Sequence, residues 1–366
     1  MLGDYGKVVT GNTPPTKDIE NYENGTYLWA SPADLGTHKL ISETKTKLSS
    51  KGFTKTRPLS KGSVLVTCIG STIGKTGMAT REMSTNQQIN SIVVNENNDN
   101  EFVYYVVQSA FPHYLSSIAV QAVPIISKSS FELLPSKRPS LQEQNKIGKF
   151  LSLLDERIST QHRLIEDLKK LRCAIVEKMF KQSKANGRLG DFIEQVSVRN
   201  KNGLYSNVLS VSNKQGFVKQ SEQFEDRTVA SEDTSNYKIV KRNNFAYNPA
   251  RINVGSIARL TKFDVGIVSP MYVCFRTKAS IIPEYMEAFF TSQQFFYEMM
   301  KRLEGSVRLC LSYEGLCNIP VYIPDMNKQI AMGQNISLIL SKIGLEIEYL
   351  GRLHQQKQYL LRKMFI

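Results

Sequence analysis

Leu2-Gly3-Asp4-Tyr5 returns as Leu189-Gly190-Asp191-Phe192, 187 residues further on. Ile126-Ser127 and Pro135…Pro139 return as Leu311-Ser312 and Pro320…Pro324, and Lys178-Met179-Phe180 returns as Lys363-Met364-Phe365, each 185 residues later. One half of the chain therefore repeats almost without a gap, and a repeat of this length implies a duplicated unit. The ends of the two halves match while the middles diverge. A shared scaffold with different loops suits a protein that reads two different things with two similar modules.

Each half opens with short strand-like runs broken by Gly, Pro, Asn and Ser. Val64–Ile69 and Tyr272–Phe275 are the clearest strands, and the segments Phe102–Phe111 and Glu284–Met300 have helical character. A mixed α/β fold is expected. A long helical segment closes each half. In the first, the seam runs Ile147, Leu151, Leu154, Ile158, Gln161, Ile165, Leu168, Arg172, Ile175, Met179. In the second it runs Met332, Ile336, Ile339, Ile343, Glu346, Leu350, Leu353, Lys357, Leu360, Met364.

Eight of ten positions are apolar in each seam, and the polar breaks fall at equivalent places. Such alternating steps of four and three make a coiled-coil seam. Gln144 to Phe180 is 37 residues, about 55 Å of helix. Because a whole globular domain lies between the two helices, a pair must run antiparallel, with the domains at opposite ends of a rod. The expected organisation is globular domain 1–140, helix 141–181, globular domain 182–325 and helix 326–366, with Lys181–Arg188 as the linker after the first helix.

A formal charge of +14 points to a polyanion, and double-stranded DNA fits better than a membrane, since no lipidation signal or basic amphipathic helix is present. No run of eighteen apolar residues and no signal peptide is found, so a cytoplasmic protein is expected. The five cysteines form no Cys-x-x-Cys pair and lack histidines at zinc spacing, which reads as reduced thiols with no metal. In the first half Lys45, Lys47, Lys51, Lys55 and Arg57 form one basic run, followed by Ser71, Thr72 and Lys75 after a strand. The second half offers Lys238, Lys241 and Arg242, then Arg251 and Asn253. Phosphate contacts position a protein on DNA and base edges supply identity; these residue types make both.

Gly70-Ser71-Thr72-Ile73-Gly74-Lys75-Thr76 imitates a P-loop, but three residues separate its glycines where four are needed, and Gly77-Met78-Ala79 is a poor helix start. A glycine-rich turn between strands is expected instead. Asn248-Pro249-Ala250-Arg251 and Asn12-Thr13-Pro14-Pro15 both miss the Asn/Asp-Pro-Pro-aromatic pattern of adenine methyltransferases, and no nucleoside-cofactor fingerprint is found. The chain is expected to use no cofactor and to be no enzyme. The rival readings are a stand-alone methyltransferase or nuclease, and a structural coiled-coil adaptor.

The order of domain, helix, domain, helix, with Leu-Gly-Asp-aromatic opening each domain and Gln opening and Lys-Met-Phe closing each helix, resembles the specificity subunits of type I restriction-modification systems over essentially the whole chain. The resemblance implies that each domain recognises one half of a bipartite target and that the paired helices set the distance between halves. It also implies that the helices dock two methyltransferase subunits, which recruit two restriction subunits. Many relatives carry a short segment before the Leu-Gly-Asp element, so a slightly shortened first domain is expected.

Overall fold

The computed structural model describes residues 1–117, 125–181, 184–213, 215–223, 233–306 and 308–365. It divides into two compact units, Met1–His162 with Glu348–Ile366, and Arg163–Ile347. Neither long helix, Leu141–Lys181 or Met326–Met364, is therefore a body apart from the globular folds. Each contributes one stretch to each unit.

Unit 1 holds β1 (Gly6–Thr10), β2 (Tyr27–Ala30), β3 (Leu40–Ile41), β4 (Thr46–Leu48), β5 (Val64–Thr67), β6 (Thr76–Ala79), β7 (Met83–Thr85) and β8 (Ile89–Val94). Its main sheet has the order β1-β8-β5-β6-β3, antiparallel except for β3 beside β6. A second sheet has the order β4-β2-β7. All four residues of β5 are buried, the apolar Val64, Leu65 and Val66 and the polar Thr67, as befits a central strand. The helix Asn100–Ser117 covers the sheet with Phe102, Tyr105 and Phe111, which share one core with Leu2, Tyr5, Val66 and Ile92.

Unit 2 holds β9 (Gly187–Arg188), β10 (Ile193–Gln195), β11 (Leu209–Ser212), β12 (Gly216–Lys219), β13 (Lys238–Lys241), β14 (Phe245–Tyr247), β15 (Ile257–Arg259), β16 (Val265–Val268), β17 (Val273–Thr277) and β18 (Pro320–Val321). The main sheet has the order β10-β17-β14-β15. With β10, β17, β14 and β15 standing for β1, β8, β5 and β6, this is the order of unit 1 without its fifth strand. The helical stretch Glu284–Met300 is two helices, Pro283–Phe290 and Gln293–Met300, because Ser292 caps the second through its Oγ and breaks the first. The last part of the expected linker is structured. Asn186 exchanges two 2.8 Å hydrogen bonds with Ile323, and β9 pairs with β18. Gln182 and Ser183 of that linker lie outside the described residues.

The long helices are tied to the units by matched contacts. Gln144 is 1% exposed; its Oε1 accepts from the Asp99 N–H at 3.1 Å, and its Nε2 donates to Asn98 Oδ1 and the Pro139 carbonyl. Gln329, also 1% exposed, accepts from the Ile282 N–H at 3.0 Å and donates to the carbonyls of Ser280 and Pro324. Four residues on, Gly148 and Gly333 stand where a Cβ would press on Phe102 N at 2.8 Å and on Glu284 Cβ at 2.9 Å, so each helix approaches its neighbour as closely as backbone allows. The Gln-x-x-x-Gly repeat is thus a docking motif, and only its glutamine stood out in the sequence.

Every named seam position is buried or half-buried. Within unit 1 the helices run antiparallel: Leu154 and Ile158 pack with Leu353, the rings of His162 and His354 are 5.9 Å apart, and Leu151 shares a core with Leu361. In the last turns the buried positions move to Val176 and Phe180, and to Leu361, because a straight helix drifts off a seven-residue repeat. The polar break at Lys357 has a partner: its ammonium lies 2.6 Å from Asp155, which also accepts from Tyr105 Oη at 2.6 Å. Burial and the Asp155 carboxylate push the Tyr105 phenol up, so it acts as a donor. Its counterpart Arg172, in unit 2, acts on Glu287, a carboxyl that burial pushes up against the opposing pull of Arg259.

Candidate nucleic-acid interface

The P-loop look-alike is a hairpin turn. Thr67 N–H donates to the Lys75 carbonyl and Gly74 N–H to the Thr67 carbonyl, both at 2.9 Å, and strand β6 follows immediately. Gly70 and Gly74 have φ of +93° and +88°, a region open to glycine at little cost. In unit 2 the turn between β14 and β15 is closed by Asn248 N–H on the Ser256 carbonyl at 3.0 Å and carries Gly255 at φ +89°. Val64 faces Met78 as Phe245 faces Arg259. That register matches Gly74 with Gly255, Thr72 with Asn253, and Gly70 with Arg251.

Ser71 and Lys75 are exposed and Thr72 half-buried on one turn; Arg251 is exposed and Asn253 half-buried on its counterpart. Among the described residues neither Lys75 nor Arg251 has an ion pair or side-chain hydrogen bond, and the same holds for Lys241. Lys75 lines an open cleft of about 590 Å³ with Gly36, Gln108, Phe111, Lys357 and Arg362. The unpaired cations Lys75, Arg251 and Lys241 suit phosphate.

The remaining candidates are differently engaged. Lys51 and Lys55, on and after the short helix Ser50–Thr54, are held by carboxylates: Lys51 by Glu20, and Lys55 by Asp18 at 2.9 Å with Asn21 at 2.8 Å. Donation from Lys55 in turn keeps the Asp18 carboxyl below its ordinary value. Arg57 donates to the Thr10 carbonyl at 2.8 Å, which sets it at the sheet end where β1 stops and β8 begins. Arg242 is bound to Asp264 at 2.8 Å and to the Thr261 carbonyl at 2.6 Å. With Lys241 it precedes β14, whereas Arg251 and Asn253 follow it. The two basic groups of unit 2 thus stand at opposite ends of one strand, and the basic run of unit 1 is partly neutralised by its own acids.

Sequence reasoning passed over the amides. Asn86-Gln87-Gln88 joins β7 to β8 at the same sheet end as the Ser71–Lys75 turn, with Gln87 exposed and bonded to Thr13, and Gln88 half-buried. Three consecutive amides between two strands were the available signal. Among the described residues no group of three His, Cys, Asp or Glu could hold a metal, and no helix is long and apolar enough to cross a membrane. The cysteines are all free, and burial pushes the Cys68 and Cys274 thiols up to about 12.

Residues 1–170 match the model of the type I restriction modification DNA specificity domain. The MjaIX specificity subunit of Methanocaldococcus jannaschii is 28% identical over 185 residues, 49% of this chain and 42% of that one. The HindI specificity subunit of Haemophilus influenzae is 31% identical over 121 residues, 32% of this chain and 26% of that one. The chain thus aligns with less than half the length of each of these curated relatives. The fold is similar to that of a type I restriction-modification S subunit from M. genitalium, with a TM-score of 0.59 at 17% identity, covering 100% of this chain and 95% of that one. A structure described as showing complex assembly and conformational transition of the type I R-M system gives a TM-score of 0.60 at 13% identity over 99% and 95% of the two chains.

The fold and the two matched sheet ends define a duplicated α/β module with long helices shared between its copies. In sequence over residues 1–170, and in fold, the chain is similar to the specificity subunits of type I restriction-modification systems.

Proposed function

We propose that this chain reads a bipartite target in double-stranded DNA, one half-site per unit, and performs no chemistry itself. One observation carries the reading. The two units share strand order, register and helix docking, yet present different side chains on the equivalent turn. Different side chains on a matched turn are what two half-site readers on one scaffold require. The free cations Lys75 and Arg251 would anchor phosphates there. Methyl transfer, with any base flipping, would belong to two methyltransferase subunits docked on the helices, with two restriction subunits joining through them in the cytoplasm. Exposed leucines at heptad spacing support docking, Leu164 with Leu171 and Leu338 with Leu345.

The helix pair would fix the spacing of the half-sites. Inserting one heptad after Leu168 and another after Leu353 preserves the seam and adds about 10 Å of helix. Mapping of methylated sites in a host that expresses each variant with its methyltransferase partner should show unchanged half-sites and a spacer longer by about three base pairs. An unchanged spacer would remove the helices from this role. Methyl transfer by the chain alone would favour a stand-alone enzyme, and DNA binding without sequence preference would favour an adaptor.

A further inference from the structure

The amide of Gln88 is not free to turn. Asn86, 7% exposed, accepts the backbone N–H of Gln88 on its Oδ1 at 3.0 Å. A backbone N–H can only donate, so this bond fixes which end of the Asn86 amide is oxygen. The other end, Nδ2, donates to Gln88 Oε1 at 3.1 Å. Gln88 must therefore keep its carbonyl inward and its NH₂ outward. That NH₂ stands beside Gly70, 3.9 Å from where a Cβ would be, and meets no acceptor among the described residues. The main chain at Gln88 is held in turn, its carbonyl accepting from the Cys68 N–H at 2.8 Å.

An oriented donor at the rim of the Ser71–Lys75 turn has a definite complement. In the major groove, guanine offers O6 and N7, adenine N7 and thymine O4 as acceptors, whereas cytosine offers only its N4 donor. We propose that Gln88 is a base-reading residue of the first unit that rejects cytosine at one position of its half-site, and that Asn86 is the positioning residue that sets its polarity. The inference rests on the reading of unit 1 as a half-site recogniser.

The polarity can be inverted in two independent ways. Gln88→Glu keeps an oxygen for Asn86 and turns a second oxygen outward. Asn86→Asp still accepts the Gln88 backbone N–H but now needs a side-chain donor, so the Gln88 amide turns over and its carbonyl faces out. An outward acceptor favours the N4 amino group of cytosine. Selection of binding sites from random duplex DNA by the full chain should give a wild-type motif with cytosine disfavoured at one position. Both variants should raise cytosine relative to guanine there by about tenfold or more, and Gln88→Ala should flatten that position only. A role for Asn86 limited to folding would not make Asn86→Asp reproduce the base change of Gln88→Glu. If all three variants select the wild-type motif with unchanged ratios, Gln88 reads no base. A wild-type chain that selects no motif overturns the recognition reading itself, and the role of Gln88 with it.

Discussion

Unit 1 and unit 2 agree in the four central strands and in the docking of the long helices, and differ at the sheet end that faces outward. Gln144 and Gln329 share two hydrogen bonds, one from a backbone N–H and one to a proline carbonyl, and Gly74 and Gly255 make the same left-handed turn. Ile92 faces Val64 as Phe275 faces Phe245, so counting back four residues sets Gln88 against Met271. One unit presents an oriented amide at that place and the other a methionine that is 56% exposed. The cation also changes position, at Lys75 on the outgoing leg of one turn and at Arg251 on the incoming leg of the other. Duplication has preserved the backbone register and freed the residues at its rim, and a two-part reader needs that division.

The largest expected effect tests the shared part. Phe180 is 1% exposed, with ring centroids 5.3 Å from Tyr285 and 5.2 Å from Phe289. Its counterpart Phe365 is half-buried, 5.4 Å from Phe102. Phe180→Ala should cost about 3–5 kcal/mol as a core truncation, and Phe365→Ala clearly less. Because two units need not unfold together, the losses should be read by hydrogen exchange in Pro283–Phe290 and in Asn100–Ser117 respectively. Equal losses would mean that the two helix ends are anchored alike despite their different burial.

The duplication, the α/β class and the helix seams were legible in the sequence because apolar periodicity and repeated short motifs report on cores directly. The interface was less so. Lys51, Lys55 and Arg242 read as DNA-facing cations, but Asp18, Glu20 and Asp264 lie far from them in sequence and only folding brings those carboxylates close. Gln88 was invisible for the opposite reason. Its uncharged amide gains a defined chemistry only once Asn86 fixes its orientation. The division of each long helix between the two units also depends on tertiary packing that a heptad pattern does not contain.

A second, smaller effect concerns the relocated cation. If Lys75 and Arg251 both meet phosphate, replacing either by Ala should lower the slope of log affinity against log salt by about one, equally for all sequences. Fluorescence anisotropy across a salt series would give both slopes. A loss confined to one sequence would instead mark that residue as a base reader. The residue on the incoming leg would then have taken on the role proposed for Gln88 in unit 1.

The smallest effect is at Met271. Its exposed side chain offers neither a strong donor nor a strong acceptor, so its favourable complement in the major groove is the C5-methyl group of thymine. One buried methylene-sized contact contributes about 0.8 kcal/mol, or about fourfold in affinity. Uracil substituted for thymine, one position at a time, in the half-site proposed for unit 2 should weaken the wild-type chain by that factor at one position. The same DNA should leave Met271→Ala unchanged, since the partner of the methyl group is already gone. Uracil in the other half-site should affect the two proteins alike, because Gln88 would address an oxygen that uracil keeps. If uracil weakens Met271→Ala as much as wild type, the methionine touches no methyl group, and the difference at this matched position would then belong to the surface of unit 2 rather than to its reading of DNA.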